Sequence, residues 1–208
     1  MHIPKTASQE VEIELFEAAL EQSKIQSHIE YDVRDWLYVP NHYSEYRYIL
    51  GTTGKNPLIC IGINPSTAVP NDLDNTLKSV ERIALGNGYD SFVMFNVYAQ
   101  RATRPDDMDK ELNLMLHEEN MKAFEYVLSL YEAEMPSVWA AWGNIVEMRP
   151  YLKDCLRDMV NISKKYGANW YSAGAISKKG HPHHPLYLKK DSPLDVFNME
   201  NYLDNVLV

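Results

Sequence analysis

Several markers of specialised proteins are missing from this chain. Two cysteines, Cys60 and Cys155, stand far apart in 208 residues. That leaves no disulfide framework and no zinc or iron–sulfur ligand set, and a reducing cytoplasm is the expected compartment. No stretch approaches the roughly 20 apolar residues of a membrane-spanning helix, so no membrane partner is expected. The polar start lacks the apolar centre of a secretory signal. Basic residues are scarce, with 20 Lys and Arg against 29 Asp and Glu and a formal net charge of −9. This argues against tight non-specific binding to nucleic acid, which draws on cationic charge and counterion release. A local patch built from Arg101, Arg104, Lys178, Lys179, Lys189 and Lys190 is compatible with it, as is a plainly solvated surface. Repeats, low-complexity tracts and long linkers are also missing. With 45% hydrophobic residues, the expectation is a single α/β domain over residues 1–208.

What is present alternates between two periods. Residues 9–27 place Val11, Leu15, Ala18, Ala19 and Ile25 at helical spacing, which predicts an amphipathic leading helix. Residues 46–50 and 58–63 flank a turn-rich connection from Gly51 to Pro57, the pattern of a hairpin. Residues 58–63 are apolar on both faces, as a buried central strand requires. A helix is predicted over 77–85, closed by Gly86-Asn87-Gly88, and a second buried strand over 91–97. A long helix over 108–131, a strand over 138–142 and a helical stretch over 143–166 follow. Pro150 is tolerable there only in a first turn or at a break. A short strand over 170–173 and a terminal helix over 194–206 complete the reading. Strands alternating with helices predict a three-layer sandwich, a mainly parallel central sheet flanked by helices. Ligands of such sheets sit outside the carboxyl ends of the strands.

That rule selects four segments. In Gly62-Ile63-Asn64-Pro65-Ser66-Thr67-Ala68, Gly62 permits close approach and Pro65 stiffens the turn. Asn64 offers donor and acceptor to a water or a substrate carbonyl, and Ser66 and Thr67 can cap a turn or bind an anion. Asn96 ends the second strand, where a buried amide must find partners, in a ligand or in two backbone segments it ties together. Trp142-Gly143 ends the third, with both Trp139 and Trp142 read as core. Residues 180–188, Gly180-His181-Pro182-His183-His184-Pro185-Leu186-Tyr187-Leu188, form a stiff loop whose histidines can supply a proton or steady a developing anion near neutral pH. Metal binding is the rival reading for that loop, with Asp72 or Asp74 as helpers. Adjacent His183 and His184 point differently in an extended chain, so they seldom share one ion and no metal is expected. Arg101 and Arg104 are candidate phosphate ligands, because guanidinium forks match phosphate oxygens.

In order and spacing these segments resemble the uracil-DNA glycosylase superfamily. Its glycine-x-(Asp/Asn)-proline loop matches Gly62-Ile63-Asn64-Pro65, and its strand ending in Asn matches Phe95-Asn96. The Trp-Gly strand end matches Trp142-Gly143, and the His-Pro-x-Pro loop matches His181-Pro182-His183-His184-Pro185-Leu186. The asparagine of the first loop is similar to the mismatch-specific branch. The whole chain more closely resembles a family of bacterial and phage proteins grouped as domain of unknown function 1643. Asn64-Pro65-Ser66-Thr67-Ala68, Asn96-Val97-Tyr98-Ala99-Gln100-Arg101-Ala102-Thr103, Ala141-Trp142-Gly143 and His184-Pro185-Leu186-Tyr187 carry that likeness.

The glycosylase resemblance implies a fold of that type, a nucleobase-containing partner (DNA or nucleotide) and hydrolysis of an N-glycosidic bond of a modified or mismatched base. Asn64 would orient the attacking water. His184 or His181, since an additional residue between the prolines lets either match, would donate toward the departing base. Asn96 would read its edge, within a pocket of Gly62, Pro65, Ser66 and Gly143. Leu186 or Tyr187 would fill the gap left by a flipped nucleotide. These glycosylases stack an aromatic residue on the base after the first loop; residues 69–77 contain none, which leaves Tyr98 or Tyr187 for that part. The implied reaction needs no metal or organic cofactor. Three alternatives stand beside this one: a hydrolase or transferase acting on free nucleosides or nucleotides, a non-catalytic base-binding module, and a metal-dependent hydrolase using the His-rich loop with Asp72 or Asp74.

Overall fold

Leu58, Ile59, Cys60 and Ile61 are all fully buried, which an extended run achieves only with layers packed on both of its faces. The computed structural model of the chain describes residues 1–5, 11–25, 31–131 and 135–207. Its elements in chain order are α1 (Phe16–Ser23), β1 (Trp36–Val39), β2 (Ile49–Thr52), β3 (Pro57–Gly62), α2 (Asn75–Gly86), β4 (Ser91–Asn96), α3 (Leu114–Ser129), β5 (Ser137–Ala140), α4 (Pro150–Lys165), β6 (Asn169–Ala173), β7 (Leu194–Val196) and α5 (Met199–Asn205). No helix among the described residues is long and apolar enough to cross a membrane.

The strands form one seven-stranded sheet in the order β1-β2-β4-β3-β5-β6-β7. Successive side chains of each central strand point to opposite faces. Ile59, Ile61, Val93, Phe95, Val138 and Ala140 join one core with α1, α3, α4 and α5. Leu58, Cys60, Phe92, Met94 and Trp139 join another with α2. The sheet is therefore flanked by helices on both faces, as expected of an α/β chain.

It is mixed rather than mainly parallel. β4, β3, β5 and β6 run parallel, whereas β1, β2 and β7 are antiparallel to their neighbours. Strand β1 has no counterpart in the sequence reading, because four residues beginning Trp36-Leu37 carry too little alternation to register. The expected hairpin also does not form. β2 pairs with β4 through Leu50↔Met94, so β4 lies between β2 and β3. The Gly51–Pro57 connection arches over the start of β4, where the Asp90 carboxylate accepts from the amides of Lys55 at 2.8 Å and Asn56 at 2.9 Å.

Other boundaries moved for local reasons. Residues 9, 10, 26 and 27 of the predicted leading helix lie outside the described residues, and residues 11–15 are not helical. The helix expected from residue 108 begins at Leu114, where Asn113 caps it by accepting from the Leu116 amide at 3.1 Å. Pro150 is the first residue of α4, a place where its missing N–H costs nothing. The expected terminal helix divides: residues 194–196 pair with β6, and Asn198 then caps α5.

Gly51 sits where β2 crosses β4. A Cβ there would lie 2.3 Å from the Phe92 carbonyl oxygen and 2.8 Å from the Val93 Cα, and backbone cannot step aside. Gly51→Ala should cost about 3 kcal/mol in urea unfolding, the upper part of the usual range for overpacking. Gly86→Ala, with nothing within 4 Å of the added carbon, should gain about 0.5–1 kcal/mol.

Candidate functional site

The register of the parallel strands sets the site. Gly62 of β3 lies beside Asn96 of β4, and the ladder continues past both through Val97 N to Gly62 O (2.9 Å) and Tyr98 N to Ile63 O (2.9 Å). Gly62 and Asn96 share the α2 face, continuing the alternation of Cys60 and Met94. A Cβ on Gly62 would come within 2.5 Å of Met94 Cε and 3.1 Å of Asn96 Oδ1, so the glycine makes room for the amide. Asn96 is 1% exposed, and neither its Oδ1 nor its Nδ2 has a hydrogen-bond partner among the described residues. Its backbone carbonyl accepts from Asn120 Nδ2 at 3.0 Å.

The final loop closes over β5. Gly143 has φ +62, and a Cβ there would touch His184 Cβ at 3.6 Å. The two candidate histidines separate. His181 is fully buried, with Nδ1 2.8 Å from the Tyr202 hydroxyl and Nε2 3.0 Å from Glu147 Oε1. The Tyr202 hydroxyl accepts from Trp142 Nε1 at 2.8 Å, so its own proton points to His181 Nδ1, and Nε2–H donates to Glu147. Lys179 also binds Glu147. Both nitrogens of His181 are thus spent on holding the loop to α5 and to the 3₁₀ turn Gly143–Glu147. His184 keeps one nitrogen for a ligand. Its Nδ1 accepts from the Leu186 amide at 3.3 Å, which puts the proton of the neutral ring on Nε2, a nitrogen with no hydrogen-bond partner among the described residues. Burial pulls its pKa down against the carboxylate of Asp74, and His183 adds to the fall. His184 is therefore a neutral donor at neutral pH. Beside it Tyr187 is 74% exposed and Leu186 41%, and the Tyr187 ring lies 6.1 Å from the His184 ring.

The first loop is held from within. Asn64 Nδ2 donates to Ala102 O at 2.7 Å and to Pro65 O at 3.0 Å, which spends both its hydrogens and leaves only Oδ1. Ser66 Oγ donates to Thr103 Oγ1 at 3.3 Å, and Pro65 is buried. Arg101, expected at a phosphate, is fully buried under this loop and donates to the carbonyls of Ser66 and Ala68 and to the Tyr38 hydroxyl. Arg104 is exposed, and its backbone carbonyl accepts from the Asp107 amide at 2.9 Å. Tyr98 does not reach the site: its ring packs on Tyr151 in the opposite core and its hydroxyl donates to Asp109 at 2.8 Å.

Three residues outside the motifs complete the arrangement. Arg47 is fully buried and donates to Ala68 O at 3.1 Å. Asp74, the N-cap of α2, acts electrostatically on Arg47, Arg101 and His184. Tyr202 orients His181. A lone charge in Tyr46-Arg47-Tyr48 was a readable signal of a buried cation; Tyr202 carried none. Two clefts lie elsewhere, one of about 250 Å³ between α4, β6 and β7 and one of about 580 Å³ along α3 and α4. Neither contains a motif residue. Among the described residues no group of three or more His, Cys, Asp or Glu is placed to hold a metal.

A family model described as "Protein of unknown function (DUF1643)" matches residues 47–186. The chain belongs to the DUF1643 family. The matched span begins at Arg47 and ends at Leu186, so it takes in Gly62, Asn96, Gly143, His184 and both buried arginines, and leaves β1, β7 and α5 outside. No curated protein and no solved structure matches the chain.

Tyr202→Phe should cost about 1–3 kcal/mol in chemical denaturation, since it orphans Trp142 Nε1 and His181 Nδ1 together. Glu147 has its pKa lowered to about 2, chiefly by Lys179 and then by His181. A depressed carboxylate stabilises the fold above its unfolded pKa and loses that effect as pH falls. The stability gap between wild type and Glu147→Gln should accordingly be widest above about pH 5 and close as pH approaches 2, followed by denaturation across that range.

Proposed function

We propose that this protein recognises a nucleobase-containing ligand at the carboxyl edge of its parallel strands, with Asn96 reading the base edge and His184 donating to a base oxygen. The unpaired, buried amide of Asn96 carries the reading. An amide sealed from water without partners costs about 1–3 kcal/mol, and an asparagine that tied two segments together would have spent its side chain on them. A carboxamide presents one donor and one acceptor side by side, the complement of the N–H and C=O of a pyrimidine or the paired groups of adenine. His184 fits the same ligand, because a neutral ring with its proton on Nε2 can steady negative charge growing on a base oxygen. Tyr187 is the exposed aromatic available to stack or to fill a gap.

The resemblance to uracil-DNA glycosylases supports the same assignment and supplies a reaction. The N-glycosidic bond breaks with its electron pair going to the base, His184 stabilises the base anion, water adds to the sugar cation, and the proton that water sheds ends on the base anion. Asn64 Oδ1 would accept a hydrogen bond from that water. An amide is no general base, so recognition ranks ahead of excision in this reading, and turnover of a free nucleoside or nucleotide stands as the second reading. An acidic chain is no handicap with so small a substrate.

Calorimetric titration of bases and nucleosides tests recognition. Asn96→Ala should weaken base binding about 10- to 100-fold, the worth of a bidentate amide contact, while leaving the fold as stable or more so. Loss of stability in that variant, together with no base binding by the wild type, would overturn the proposal. Excision is tested by single-turnover incubation with uracil-, thymine-mismatch- and hydroxymethyluracil-containing DNA and with a nucleoside panel. Intact substrates throughout would leave a binding module.

A further inference from the structure

We propose that Arg47 and Arg101 form the seat of a phosphate monoester, which makes the ligand a nucleotide rather than a free base or an internal nucleotide of a DNA strand. The choice of a nucleotide rests on the base reading of Asn96; the anion seat rests on the two arginines alone.

Arg47 is 1% exposed and Arg101 0%. The arginine ion pairs among the described residues belong to Arg34 and Arg157, so neither buried guanidinium has a carboxylate partner. Instead both converge on one neutral oxygen. Arg47 Nη1 lies 3.1 Å and Arg101 Nη1 3.3 Å from Ala68 O. Arg101 adds Ser66 O and the Tyr38 hydroxyl, and its guanidinium carbon stands 4.4 Å over the Tyr43 ring. That leaves Arg47 Nε, Arg47 Nη2 and Arg101 Nε buried with no acceptor among the described residues.

Two like charges gathered on a shared carbonyl are a costly arrangement to enclose. Burial, then the neighbouring Arg101 charge, drags Arg47 down to about 9, and arginine still keeps its proton at neutral pH. Asp74 is the nearby negative charge acting on both, yet its Oδ1 is engaged by the Leu77 amide as a helix cap. A purely structural clamp would have satisfied its donors with carbonyls or a carboxylate. An anion with several oxygens satisfies the unpaired forks at once, and a dianion matches two guanidiniums. It would trade places with Ser66 O and Ala68 O, since a charged oxygen is about twice as strong an acceptor as a neutral one. Both arginines are enclosed, which suits a terminal phosphate entering from one side. A diester would need a strand leaving on the far side as well, through a chain whose net charge is −9. Asp74, which caps α2, also acts on His184, and the Pro185–Tyr187 turn that follows this histidine packs on α2.

The experiment uses the full chain at fixed ionic strength, with inorganic phosphate, a nucleoside monophosphate, its nucleoside and a short single-stranded oligonucleotide as probes. Binding is read by calorimetry, thermal shift and 31P NMR. Millimolar inorganic phosphate should raise the wild-type Tm by several degrees beyond a chloride control. The monophosphate should bind about 10- to 100-fold tighter than its nucleoside, as one or two charge-assisted contacts allow. Arg47→Met should erase both gains, and Arg47→Lys, which keeps the charge and loses the fork, should restore only part. Asn96→Ala should leave the response to inorganic phosphate intact. Should neither arginine variant fold, the wild-type 31P titration decides alone. No phosphate-linked shift, with the monophosphate no tighter than the nucleoside, overturns the seat. An oligonucleotide as effective as the monophosphate overturns the monoester. If phosphate binds while nucleoside adds nothing to it, the base reading fails and the seat stands.

Discussion

The position of β3 between β4 and β5 is the constraint from which the candidate site follows. Parallel pairing places Gly62 beside Asn96 and carries the ladder one step further, through Val97 N to Gly62 O on one side and Ala141 N to Ile61 O on the other. Three chains therefore leave the sheet at one level, and the loops that follow must share one patch of surface. A slip of one residue would turn the Asn96 amide into the α3 side of the core, where Phe95 now packs on Phe124. Gly62 belongs to the same constraint. Any larger residue would occupy the space into which the amide projects.

Much of this was legible beforehand. The four motif segments do end or follow parallel strands, because buried strands announce themselves as short apolar runs and their loops as glycine, proline and asparagine. The α/β alternation was legible for the same reason. What escaped was mostly non-local. Whether residues 58–63 pair with 46–50 or with 91–96 depends on contacts between distant segments that no local pattern reports, such as the Asp90 carboxylate accepting from the Lys55 and Asn56 amides. Strand β7 escaped because Leu194-Asp195-Val196 extends only against an existing sheet edge. The two histidines could not be told apart in sequence, since the distinction lies in Tyr202 and Glu147, which are 21 and 34 residues from His181.

The electrostatic plan is also more pointed than a net charge implies. The chain is acidic, yet beneath the first loop lie two buried cations on which Asp74 acts, and the histidine at the rim is held neutral by burial. Asn96, Arg47 and Arg101 each keep buried side-chain polar atoms without partners among the described residues, as Arg82, His117, Asn120 and Trp139 do elsewhere in the fold. Shortfalls of this kind reduce stability.

The clasp of Tyr202 on His181 and Trp142 joins the two ends of a long sequence interval. During vectorial synthesis β3, β4, β5 and β6 can associate as soon as they emerge, while the loop bearing His184 lacks its Tyr202 anchor until α5 follows. A nascent chain would thus pass through a stage with its sheet assembled and its rim still open. The last helix, through Tyr202, is the final element to fasten the loop that bears His181 and His184.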